Sequence, residues 1–180
     1  MRIRTVGHST RTRETLLALL REGGVTLLAD VRRVPQSRRH PQFGRDALAS
    51  YLESEGIAYR HLPELGGRRE PRPGSTNRAW REPAFRGYAD YMGTPEFEHA
   101  LELLLDLASG TELAILCAEA DPSRCHRSLI SDALVARGVA VEHLIEPGSF
   151  ELHRIAAFAL VEGGRVSYPG PALLPGLETP

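Results

Sequence analysis

Lysine is absent from this 180-residue chain, and all 22 basic residues are arginine. The simplest cause is arginine codon bias in a GC-rich genome, so arginine placement carries more meaning than arginine number. Cysteine is almost absent too. Two residues do not make a disulfide framework, and a reducing cytoplasm is the expected setting. No apolar run approaches the roughly 20 residues of a membrane helix, so no membrane partner is expected. Met1 leads straight into Ile3-Arg4-Thr5-Val6, without the regions of a signal peptide. Net charge is also nearly missing, at -1, which counts against a dedicated nucleic-acid binder. That value hides an asymmetry. Residues 1–92 hold 17 arginines against 10 acidic residues, net +7, and residues 93–180 hold 5 against 13, net -8. The first half is therefore suited to an anionic partner.

What is present reads as alternating strands and helices. Ile3–Val6, Val25–Ala29, Ile57–Leu62, Glu112–Leu116 and Val139–Ile145 have the apolar character of strands. Helical spacing marks Arg13–Arg21, Arg45–Glu55, Phe85–Met92, Pro95–Ala108 and a helix from Pro122 to a C-cap at Gly138. Asp121 is its expected N-cap, and a last helix is expected from about Phe150 to Val161. The implied class is α/β: a three-layer domain with a mostly parallel central sheet and helices on both faces. Residues 1–167 form the single domain, and the Pro- and Gly-rich residues 168–180 a loosely held tail. Residues 63–82, long and poor in apolar side chains, are expected to cover a site.

In a parallel sheet the C-terminal strand ends share one edge, where ligands bind in open α/β folds. That edge would gather Gly7-His8-Ser9, Asp30 with Arg32, His61, and Cys117 with Glu119. Cys125-His126-Arg127 follows at the adjoining helix start. Cys125 lies among Arg124, His126 and Arg127, conditions that lower a thiol pKa. Cys117 is as readily a packed core cysteine as a functional one. His126 is a cation disfavoured at a helix N-terminus, which suggests a partner. Glu119 either receives an arginine or moves a proton. The candidate catalytic set is Cys125, His126, Glu119 and Cys117. The candidate substrate-binding set is His8, Ser9, Asp30, Arg32, Ser37, Arg38 and Arg127, with Arg32 and Arg38 as anion ligands.

The same stretches carry a resemblance. Gly7-His8-Ser9, Asp30-Val31-Arg32 with Pro35 and Ser37-Arg38, Leu65-Gly66-Gly67, Tyr88 with Tyr91-Met92, and Cys117-Ala118-Glu119 with Cys125-His126-Arg127 come in the order of domain-of-unknown-function family 488. The chain resembles that family over roughly residues 3 to 146. The resemblance implies a prokaryotic single-domain α/β protein with a shared site built from these residues, and it names no reaction and no cofactor.

Three function classes follow. The first is an enzyme or ligand-binding protein for a small anionic substrate, phosphate-bearing or nucleotide-like, held at the strand edge. Cys117 and Arg124 are one residue too far apart for a tyrosine-phosphatase loop, so that mechanism is not expected. The second is a metal-dependent hydrolase with Cys117, Cys125 and His126 as ligands, joined by His8 or His61; two thiols and an imidazole suit zinc, although the spacing matches no zinc signature. The third is a nucleic-acid-binding or regulatory module using the basic first half and the segment from Arg68 to Arg86. The first is preferred, with no metal assigned. Whether the protein is an enzyme, its cofactor and its oligomeric state stay open.

Overall fold

Five helices and eight strands make up the computed structural model, which describes residues 1–36 and 39–170. In chain order they are β1 (Arg2–Gly7), α1 (Arg13–Glu22), β2 (Leu27–Asp30), α2 (Arg45–Ser54), β3 (Ala58–His61), α3 (Pro83–Met92), α4 (Pro95–Ala108), β4 (Leu113–Cys117), α5 (Arg127–Ala136), β5 (Ala140–Glu146), β6 (Ser149–Leu152), β7 (Leu160–Glu162) and β8 (Arg165–Ser167). Six strands form one sheet in the order β3-β2-β4-β1-β5-β6. Its first five strands are parallel and β6 runs antiparallel to β5.

The pleat divides the core in two, because successive side chains face opposite ways. On one face Val6, Leu28, Ala114 and Leu116 pack with Leu16 and Leu20 of α1 and Leu48 and Leu52 of α2. On the other, Ile3, Ala29, Leu113 and Ile115 pack with Tyr88 of α3, Phe97 and Leu104 of α4, and Leu129 and Ile130 of α5. The result is the expected three-layer α/β architecture. β2 and β4 are buried throughout, which is why they read as unbroken apolar runs rather than alternating ones.

Two elements differ from expectation. The helix expected over 150–161 is instead β6 and the first strand of the β7–β8 hairpin. Gly148, at φ +77°, turns β5 into β6, and Gly163-Gly164, at φ +56° and +79°, close the hairpin, geometry that favours glycine. The helix expected from Pro122 is broken. Asp121 does cap, but it caps a single 3-10 turn, Pro122–Arg124, by accepting from the Ser123 amide at 2.8 Å. Cys125 is then extended (φ -137°, ψ 143°) before α5 begins.

A buried polar chain ties the last segment to this frame. Asp132 of α5 accepts from His153 Nε2 (2.7 Å) and from the Tyr168 hydroxyl (2.7 Å). His153 Nδ1 lies 2.9 Å from His143 Nε2, and His143 Nδ1 lies 2.6 Å from Thr5 Oγ1. With His153 donating to the carboxylate, His143 donates to His153 and Thr5 to His143. Burial first, then the neighbouring His153, holds His143 down to about 3. Tyr168 is fully buried, so tight packing extends past residue 167; residues 171–180 of the expected tail lie outside the described residues.

Candidate functional site

The parallel strands bring the candidate residues to one edge. Gly7 pairs with Cys117 across β1 and β4, and Val31 N–H donates to Leu116 O just past the end of β2. Beyond the strands, His8 and Ser9 amides donate to the carbonyls of Cys117 (3.1 Å) and Ala118 (2.7 Å), so the β1 exit and the loop after β4 run side by side. Gly7 makes that approach possible: a Cβ there would lie 1.7 Å from the Glu119 carbonyl oxygen.

Arg32 is the most constrained cation of the site. Its Nε donates to Asp30 Oδ1 at 2.9 Å, its Nη2 to Asp30 Oδ2 at 2.5 Å, and its backbone amide to Oδ1 at 3.0 Å. Tyr59 adds a hydroxyl bond to Oδ2 at 2.6 Å. Arg32 Nη1 lies 3.2 Å from His8 Nε2. Burial first, then Arg32, pushes His8 down to about 4, so the ring is neutral. Its Nδ1 donates to Ser9 O (3.1 Å), which leaves Nε2 to accept from Arg32. Phe43 stacks on the ring at 4.5 Å. Burial opposes the Arg32 charge, but the bonds and charge of Asp30 outweigh it and raise its pKa. Of the five guanidinium N–H groups, three are used and two remain.

Because Cys125 is extended, its sulfur turns back onto β4. Cys125 Sγ and Cys117 Sγ lie 2.7 Å apart, and each is 3.7 Å from His126 Nδ1. Both cysteines are free and buried. The hydrogen bond shared with Cys117, with His126 and Arg127 nearby, pulls the Cys125 thiol well below its ordinary value. The same bond, burial and the Cys125 charge push Cys117 up. Of the two, Cys125 is the thiol whose ionisation the site favours.

The imidazole of His126 is packed by Tyr88 and Gly67. Tyr88 lies against it at 5.0 Å between ring centroids, and Gly67 covers it so closely that a Cβ would sit 2.7 Å from Nδ1. Leu65 O accepts from the Tyr88 hydroxyl at 2.7 Å, tying the start of the 63–82 segment down. Among the described residues, His126 Nε2 is buried without a partner. An unmet acceptor costs less than a buried, unmet N–H, which places the proton on Nδ1, facing the sulfurs.

Other candidates stand elsewhere. Arg127 is buried and donates through Nη1 and Nη2 to the carbonyls of Glu119 and Ala120, clamping the loop. Glu119 is exposed. Ser9 is half-buried in a left-handed conformation, φ 43°. His61 Nε2 donates to Arg32 O at 2.8 Å and lies outside the sulfur cluster. Ser37 and Arg38 lie outside the described residues. Sequence reading missed Tyr59, Phe43 and the covering role of Gly67. Period-two alternation on β3 offers a signal for Tyr59 alone.

The family model for the domain of unknown function DUF488 matches residues 12–134 of the chain. No curated protein and no solved structure matches it.

Proposed function

The chain belongs to the DUF488 family, and from the geometry of its site we propose that it is an enzyme or ligand-binding protein for a small anionic, phosphate-bearing or nucleotide-like substrate. The observation that carries this reading is Arg32. Asp30 and His8 fix its plane and leave two of its N–H groups unspent. An oriented guanidinium edge of this kind matches a phosphate or carboxylate. In an enzyme reading Cys125 Sγ attacks the phosphorus, the bond to the leaving oxygen breaks, and that oxygen takes a proton from Cys117. Water then hydrolyses the thiol ester of phosphate. Asp30, His8 and Arg127 position these groups, and Glu119 is not needed. The expected anion contacts of Ser37 and Arg38 remain part of the proposal.

Cys117, Cys125 and His126 offer three ligand atoms within 4.8 Å, and this favours a metal as the second reading. Two features argue against it. Sulfurs on one tetrahedral zinc, with Zn–S of about 2.3 Å, stand roughly 3.8 Å apart, whereas these are 2.7 Å apart. Ligation through Nδ1 would also put the proton on the unpartnered Nε2.

Calorimetric titration with inorganic phosphate tests the first reading. Binding on the order of millimolar Kd is expected, weakened roughly tenfold, or about 1.4 kcal/mol, in Arg32→Lys. No binding, or unchanged binding in that variant, contradicts it. Near-stoichiometric zinc in the purified protein, lost in Cys125→Ala, moves the assignment to the metal reading.

A further inference from the structure

We propose that Cys117 and Cys125 are a reversible redox pair, closed to an intramolecular disulfide by a small hydroperoxide. This rests on the contact of the two buried sulfurs and not on the anionic substrate. The geometry carries it. The sulfurs are already at 2.7 Å, about 0.7 Å from the bonded separation of roughly 2.05 Å, so the reacting atoms are in contact before any oxidant arrives. The loop between them is held at Glu119 and Ala120 by Arg127 and backed by Gly7.

The burial of the pair selects the oxidant. Each cysteine is 4% exposed, too little for the disulfide of another protein to approach in line, while a hydroperoxide is scarcely larger than two waters. The steps balance. Deprotonated Cys125 attacks the distal peroxide oxygen; the O–O bond breaks, and the departing alkoxide or hydroxide takes a proton from solvent. This leaves a sulfenic acid on Cys125. Cys117, as it gives up its proton, attacks the Cys125 sulfur; the S–S bond forms, the S–O bond breaks, and the leaving hydroxide takes that proton to become water. Overall, two thiols and a hydroperoxide give one disulfide, one alcohol or water, and one water. A small dithiol reductant returns the two electrons and both protons. The disulfide removes the thiolate, so the oxidised protein has no nucleophile at its site.

The test is intact-mass spectrometry of the reduced full chain after stoichiometric hydrogen peroxide, with thiol alkylation as a second readout. Only these two cysteines exist, so the assignment is unambiguous. The expected result is loss of two hydrogens from the monomer, simultaneous disappearance of both alkylatable thiols, and recovery of both with dithiothreitol. In Cys117→Ser, dimedone is expected to trap a sulfenic acid on Cys125. Thiols that stay alkylatable in tenfold peroxide, or one that proceeds to sulfinic acid while the other stays reduced, overturn the proposal. These wild-type readouts do not depend on the variant folding. Phosphate titration of the reduced protein separates the two readings: peroxide inertness with phosphate binding intact removes only the redox pair, and a closed disulfide without phosphate binding removes only the anion site.

Discussion

Gly67→Ala tests the packing on which the site depends, and its magnitude follows from the surroundings. The new methyl would stand 2.7 Å from His126 Nδ1, 3.0 Å from Cγ and 3.2 Å from Cε1. Gly67 is not among the residues with positive φ, so the cost is space rather than backbone strain. A comfortable contact of about 3.5 Å asks the ring to retreat by roughly 0.8 Å. Tyr88, fully buried and hydrogen-bonded to Leu65, packs against the ring at 5.0 Å, so the ring has little room to shift. The alternative is lifting residues 64–67, which Tyr88 and Tyr91 hold by their hydroxyl bonds to Leu65 and Glu64. Overpacking of this kind costs about 1–3 kcal/mol. Urea unfolding should show that loss with an unchanged m value. The displaced imidazole also gives up its 3.7 Å approach to the sulfurs, so the thiolate should titrate at higher pH by ultraviolet absorbance. A stability change under about 0.5 kcal/mol with an unaltered thiolate titration would refute the reasoning.

Further outcomes follow from the same geometry. Asp30→Asn removes the charge that pairs a buried guanidinium and should cost about 3–5 kcal/mol, read as a lowered urea midpoint, because Asp30 is fully buried and receives four bonds. Gly7→Ala, with its Cβ 1.7 Å from a backbone oxygen, should leave little folded protein by circular dichroism. His143, held down to about 3, and His8, to about 4, both start from 6.5 when unfolded. Their folded values are depressed, so the native state resists protonation. Stability is full above about pH 6.5 and falls as pH drops towards 4, by up to about 1.4 kcal/mol per pH unit for each. Thermal unfolding across that range should show the fall, and His143→Gln should flatten it.

The layered fold was legible because burial on both faces leaves a plain mark. β2 and β4 are unbroken apolar runs, and Leu16, Leu20, Leu48 and Leu52 repeat at helical spacing. The 150–161 segment misled because Phe150, Leu152, Phe158 and Val161 lie on the surface of short strands and turns, where no core enforces a period. Gly163-Gly164 held the correcting signal. At the site, the strand-edge rule placed His8, Asp30, Arg32 and Cys117 together. Pairings across the fold were not readable. The use of Arg127 on two carbonyls, the return of Cys125 onto Cys117, and the cover that Gly67 gives His126 all arise where segments distant in sequence meet.

The account stands most directly on the state of Cys125, and the pH dependence of its alkylation, with and without inorganic phosphate, is the measurement that probes it. The account predicts one fast-reacting thiol whose rate is already level at neutral pH and is slowed by phosphate, with the second thiol reacting only at high pH. Two thiols that react alike, with rates still climbing through their ordinary pKa of about 8.5 and indifferent to phosphate, would contradict it.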